Sequence, residues 1–167
     1  MPEDLETKIV RLLTERKQTV AVAESCTGGY ISHRLTNVPG ASAVFSAGLV
    51  TYSNEAKQTF LGVRQATLAQ HGAVSEPVAR EMAEGARRAS RTDYGIAVTG
   101  IAGPGGGAPE KPVGTVFIGL ATAGETRVLR CFNPGDRLAF KQATSEQALG
   151  QLEAALHAGA FLDPDRM

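Results

Sequence analysis

Residues 19–29, Thr-Val-Ala-Val-Ala-Glu-Ser-Cys-Thr-Gly-Gly (TVAVAESCTGG), carry the reading that decides the fold. Thr19–Ala23 is a short apolar run containing β-branched residues, the pattern of a buried strand. It enters a loop at Gly28 and Gly29, and a helix over about 27–36 follows. A strand that turns at once into a helix is the repeating unit of α/β domains.

Working outward from this unit, the same alternation continues. Upstream, Leu5, Ile9, Leu12 and Leu13 recur at helical spacing, so residues 4–16 form an amphipathic helix. Downstream, Ala43–Tyr52 (AVFSAGLVTY) is the next strand, and Ser53 caps a short helix over 54–61 that carries Lys57. Ser75 opens another helix, with Pro77 in its tolerated first turn and Val78, Met82 and Ala86 on one face. Tyr94–Thr99 is a strand that runs into Gly100–Gly107, a stretch no regular element accommodates. Gly114–Ala123 and Thr126–Phe132 flank Gly124-Glu125 as a β-hairpin, Leu149, Leu152 and Leu156 mark a closing helix, and a frayed tail is expected after Leu162. The expectation is an α/β fold of three layers, a mixed, mostly parallel sheet with helices on both faces and one antiparallel edge.

Length and composition narrow the function classes. At 167 residues the chain fits a single domain spanning 1–167. Lys plus Arg and Asp plus Glu both number 17, so nothing marks a nucleic-acid partner or an anionic membrane surface. No apolar run approaches the roughly 20 residues a membrane span needs, and the acidic amphipathic start is unlike a signal peptide, so a cytoplasmic location is expected. Cys26 and Cys131 are too few for a disulfide framework and have no metal-binding spacing. His33, His71 and His157, placed on a helix, in a loop and on the last helix, have no partner at ligand spacing and read as structural.

Chemistry concentrates in three places. In Glu24-Ser-Cys-Thr-Gly-Gly, a strand end meets a helix start, where free amides and the positive helix end favour an anion or oxyanion. Ser25 at such a turn suits a nucleophile, although Ser25 or Thr27 could equally act as a cap. Cys26 is the rival nucleophile, since a thiol at a helix start has a depressed pKa. In Thr51-Tyr-Ser-Asn-Glu-Ala-Lys, the end of the second strand lies beside the end of the first in a parallel sheet, which could bring Lys57 to Ser25. A lysine made neutral by burial can accept the serine proton, with Tyr52 orienting or relaying it; a solvated surface lysine is the plainer alternative. In the third place, the glycines of 100–107 could nest a phosphate, and Arg137, after Pro134-Gly135-Asp136, could clamp one or form a surface ion pair.

Taken in order, AESCTGG, TYSNEAK, HGAVSEPVA, VTGIAGPGGG, KPVGTV and PGDR closely resemble the C-terminal domain of the competence/damage-inducible protein CinA and the stand-alone nicotinamide-nucleotide amidases (PncC), over roughly residues 5–157. The resemblance implies hydrolysis of nicotinamide mononucleotide to nicotinate mononucleotide and ammonia, with no metal or cofactor. It places the nucleophile at Ser25, the base at Lys57 and an assisting tyrosine at Tyr52. The resemblance places nucleotide-binding positions on Gly100, Gly103, Gly105, Gly106 and Arg137; Cys26, Thr27, Gly28 and Gly29 in the turn, with Thr99, are expected from their place at the strand ends. The family usually has an arginine where this chain has Lys141, which keeps the charge and loses the bidentate fork. The resemblance also implies a homodimer, and an amidase unit without the N-terminal domain that CinA itself carries.

Overall fold

The computed structural model describes the backbone of residues 2–162 and side chains through Ala158, so the tail expected to fray after Leu162 lies outside the described residues. The chain runs α1 (Leu5–Arg16), β1 (Val20–Glu24), α2 (Tyr30–Thr36), β2 (Phe45–Val50), α3 (Asn54–Leu61), α4 (Gln65–His71), α5 (Glu76–Ser90), β3 (Tyr94–Gly100), β4 (Thr115–Ala121), β5 (Thr126–Phe132) and α6 (Arg137–Leu162). The five strands form one sheet in the order β2-β1-β3-β4-β5. β1 pairs in parallel with both β2 and β3, while β3–β4 and β4–β5 are antiparallel. β4 alone therefore opposes the direction of the other four strands, which is the mixed, mostly parallel sheet expected.

Helices cover both faces, and side-chain size divides them. Val20, Val22, Ile96, Val98, Ile118 and Leu120 point to a large apolar layer formed with α1, α2 and α6. Ala21, Ala23, Ala97 and Ala121 point the other way, toward α5. On that second face the helix lies close to the sheet: a Cβ on Gly95 would stand 2.3 Å from the Ala83 carbonyl, and one on Gly119 2.7 Å from that of Ala79. Arg34 ties the first layer together, reaching Glu6 on α1 at 2.8 Å and Glu146 on α6 at 2.9 Å.

Several boundaries differ from expectation for local reasons. β2 begins at Phe45 because Ala41–Ala43 forms a 3-10 turn after Gly40, which has φ of 89°. α2 begins at Tyr30 because Gly28 and Gly29 adopt positive φ, values that L side chains rarely tolerate, and keep 25–29 in a turn. α4 was not anticipated: it has seven residues, with only Thr67 and Leu68 buried, too little for a periodic signal. His71 consequently ends a helix and does not sit in a loop. The closing helix is one continuous element from Arg137 onward, capped by Asp136, whose Oδ1 accepts the Ala139 amide at 2.8 Å.

Candidate active site

The alternation of β1 separates two jobs at its carboxyl end. Val20, Val22 and Glu24 face the α2 layer, and Ala21, Ala23 and then Ser25 face the α3/α5 layer. Glu24 is completely buried, and its carboxylate is fully engaged. Oε1 accepts the Thr27 hydroxyl at 2.6 Å and the Ile31 amide at 2.9 Å, while Oε2 accepts the Ser32 amide at 2.9 Å and hydroxyl at 2.7 Å. Gly29 has no side chain to cap α2, so Glu24 caps it from the strand, placing a negative charge on the positive helix end.

This corrects two expectations. The amino end of α2 is not an open anion site, because Glu24 occupies its amides, and the Thr27 hydroxyl is spent on that carboxylate and not on a ligand. The amides of Cys26 and Thr27, before the helix proper, donate to no carbonyl or carboxylate among the described residues.

On the other face, Lys57 Nζ lies 3.1 Å from Ser25 Oγ and donates to the Thr51 carbonyl at 2.7 Å. Lys57 is 2% exposed, which sets aside the surface-lysine alternative. Its position follows from two local features. Ser53 caps α3 by accepting the Ala56 amide at 3.0 Å, and Gly85 lets α5 approach the Leu61 carbonyl so closely that a Cβ there would lie 1.9 Å from it. Burial holds the Lys57 amine below the usual lysine range, because a low-dielectric setting disfavours the charged form. A thiolate at Cys26 would oppose this, but burial has pushed that thiol up to about 12, so it stays protonated.

Cys26 is therefore a core residue. Its side chain belongs to the cluster shared by α1, α2 and α6, and the depressed thiol pKa expected of a helix start is reversed by desolvation and by neighbouring Glu24. A small hydrophobe with a raised pKa is a poor nucleophile.

Polar groups from three further segments meet one another. Arg137 donates to the Gly103 carbonyl and, at 3.2 Å, to the Tyr52 hydroxyl, joining three segments far apart in sequence. Tyr52 is 65% exposed, and among the described residues its hydroxyl bonds to Arg137, not to Ser25 or Lys57, which departs from the expected relay through Tyr52. Arg137 makes no ion pair among the described residues. Lys141 Nζ lies 3.6 Å from where a Cβ on Gly28 would sit, in the turn that follows Ser25.

The glycine-rich loop divides into packing and open positions. Gly100 ends β3, where a Cβ would meet the Thr115 carbonyl at 2.8 Å, and a Cβ on Gly103 would strike Val113 at 2.3 Å. Gly105 and Gly106 are exposed, and their amides donate to nothing among the described residues. The Thr99 hydroxyl, buried toward α5, donates to the Ala73 carbonyl at 2.8 Å and braces the turn ahead of α5. His33, His71 and His157 are all exposed, away from this cluster. Two clefts of about 780 and 710 Å³ flank Asp93 and the β4–β5 turn, at the opposite end of the sheet, and contain none of the expected site residues.

Two participants escaped the sequence reading although both lie in quoted motifs. Glu24 shows one signal, a charged residue ending an apolar run. Thr51, whose carbonyl orients Lys57, shows none, because a backbone contact leaves no mark on residue type.

The fold and site define a three-layer α/β domain with serine and lysine paired at the carboxyl edge of its parallel strands. The model of the CinA C-terminal domain matches residues 2–156, and the chain belongs to that family. It is 56% identical over 159 residues to a CinA-like protein of Syntrophus aciditrophicus, covering 95% of this chain and 38% of that protein. Against a CinA-like protein of Chlorobaculum tepidum the identity is 58% over 150 residues, covering 87% and 36%. The chain thus spans less than two fifths of these relatives' length. Among solved structures, the competence/damage inducible protein CihA of Agrobacterium tumefaciens superposes with a TM-score of 0.86 at 43% identity, covering 94% of this chain and 98% of the other. A CinA superfamily protein of Klebsiella pneumoniae gives 0.88 at 37% identity, covering 92% and 96%.

Proposed function

We propose that the chain hydrolyses the carboxamide of nicotinamide mononucleotide, giving nicotinate mononucleotide and ammonia. The observation that carries this reading is the buried Lys57 amine, held below its ordinary pKa and 3.1 Å from Ser25 Oγ. That separation is within the reach of a general base.

In this reaction neutral Lys57 takes the Ser25 proton as Oγ attacks the carboxamide carbon. The free amides of Cys26 and Thr27 hold the oxyanion. Lys57 returns its proton to the nitrogen, the C–N bond breaks and ammonia leaves. Water, activated by the same amine, then hydrolyses the acyl ester and restores Ser25. The pyridinium ring withdraws electrons from the carboxamide, which eases attack by a modest serine–lysine pair. Arg137, Lys141 and the open amides of Gly105 and Gly106 form the electropositive rim to which we assign the 5′-phosphate.

The test follows ammonia release from nicotinamide mononucleotide with wild type, Ser25→Ala, Lys57→Ala and Cys26→Ala. Release by wild type and the Cys26 variant alone is the expected result. No release from wild type despite nucleotide binding would leave a binding module in place of an enzyme.

A further inference from the structure

Among the described residues, Thr51 Oγ1 is the one buried side-chain oxygen or nitrogen with no hydrogen-bond partner. The residue is 1% exposed, so water does not satisfy it. Buried polar groups are nearly always paired, and a hydroxyl left orphaned is costly, so its retention calls for a physical reason. Valine would fill the same volume without that cost.

The place of this hydroxyl supplies the reason. Thr51 extends the β2 ladder by one residue, its amide donating to the Glu24 carbonyl at 2.8 Å. It follows two residues after Leu49, which packs on the α5 side, so it lies beside Ser25 on the face where Lys57 sits. Its own carbonyl already accepts Lys57 Nζ. Oγ1 is four covalent bonds from that carbonyl oxygen, on a buried side chain whose own backbone already touches the amine.

Resting on the serine–lysine reading above, we infer that the Thr51 hydroxyl is the acceptor held for Lys57 once that amine has taken the serine proton. A neutral amine donates to the Thr51 carbonyl and offers its lone pair to the Ser25 hydroxyl. After proton transfer it has three N–H donors and a full charge in a dry setting, where a further acceptor is worth most. Thr51 is thus a positioning residue acting through Lys57, unpaired while the base is neutral and recruited when it is charged.

Other titratable groups do not compete for this role. From the nucleophile turn, Cys26 presents a protonated thiol. Glu24 lies across β1 with both oxygens engaged by α2. Lys141 reaches the turn from α6 over Gly28, and Tyr52 bonds to Arg137. On α3 itself Glu55 is exposed, and α5 turns the uncharged Met82, Gly85 and Ala86 inward.

The test reads the pair without the nucleotide. Wild type, Thr51→Val and Thr51→Ser are reacted with phenylmethylsulfonyl fluoride across pH, and the rate of labelling at Ser25 is followed by mass spectrometry. Labelling by wild type should rise along one limb set by Lys57. In Thr51→Val that limb should move to lower pH by about one unit, because the ammonium has lost an acceptor. The plateau should fall roughly fivefold, because a weaker base transfers the proton less readily. Thr51→Ser should restore both, and the melting temperature of Thr51→Val should equal or exceed that of wild type. A limb that stays in place in Thr51→Val, or one that moves and is not recovered by serine, would overturn the inference. Wild type unreactive at Ser25 at every pH would remove the pair and the inference with it. The expected limb shift without ammonia from nicotinamide mononucleotide would support the inference and refute only the substrate.

Discussion

Glu24→Gln should loosen the nucleophile turn while changing a single buried atom. The carboxylate gives each oxygen one amide and one hydroxyl donor. Glutamine keeps one such oxygen and turns an NH2 group toward the other pair. The hydroxyl of that pair, from Thr27 or Ser32, can rotate to accept; the backbone amide, from Ile31 or Ser32, cannot. One buried N–H is therefore orphaned, at a cost of about 1–3 kcal/mol. Removing the negative charge from the amino end of α2 adds about 1 kcal/mol. The sum, roughly 2–4 kcal/mol, is a large share of the ~5–15 kcal/mol that holds a domain folded.

Urea unfolding should then show a lower midpoint with an unchanged slope, and the rate of Ser25 labelling should fall at a pH where the protein is still folded. A stability loss under about 1 kcal/mol would refute the assignment of α2 capping to this carboxylate. Full loss of stability with Ser25 reactivity intact would show that the turn holds its shape without it.

Three further perturbations reach the site by different routes. Lys57→Met should lower amidase activity by about 10²–10⁴-fold and yet stabilise the protein near neutral pH. Its pKa is lower folded than unfolded, so the unfolded chain binds more protons, wild-type stability rises with pH as the folded amine deprotonates, and melts of the Met variant should lack that rise. Gly85→Ala places a Cβ 1.9 Å from the Leu61 carbonyl and must push α3 away from α5; a loss of roughly 1–3 kcal/mol in denaturant midpoint should accompany a fall in kcat, since Lys57 rides on α3. Arg137→Gln should raise KM for nicotinamide mononucleotide roughly 10–100-fold, while the nucleoside without its phosphate changes little in a parallel ammonia assay. Equal loss on both compounds would place Arg137 outside phosphate binding.

How much of this was readable beforehand depended on whether a residue acts through its type or through its partners. The strands β1, β3 and β5 and the helix carrying Lys57 were legible, because apolar runs, β-branched residues and caps are local signals. α4 was not, because seven residues with two buried positions produce no period. The six motifs place Ser25 and Lys57 together through family resemblance, whereas spacing alone favours the surface for a lysine 32 residues from the serine. The rivalry between Ser25 and Cys26 as nucleophile stays open in the sequence for a related reason: the helix-start rule for thiols is local, but the α1/α2/α6 core that buries this thiol is assembled from distant segments.

Glu24 and Ser25 show why the turn works as it does. They are adjacent in sequence, so the alternation of an extended strand must send them to opposite faces of the sheet. The glutamate fixes α2 and the turn from one side; the serine meets Lys57 on the other. Because the carboxylate is committed to α2, it does not stand next to Lys57 to stabilise its ammonium, and burial is left to hold the amine below the usual lysine range. Moving the acid by one position would place a carboxylate beside Lys57, raise its pKa and leave the α2 amides bare. The order Glu-Ser, not merely the presence of both residues, is what keeps the carboxylate on the α2 side and away from Lys57.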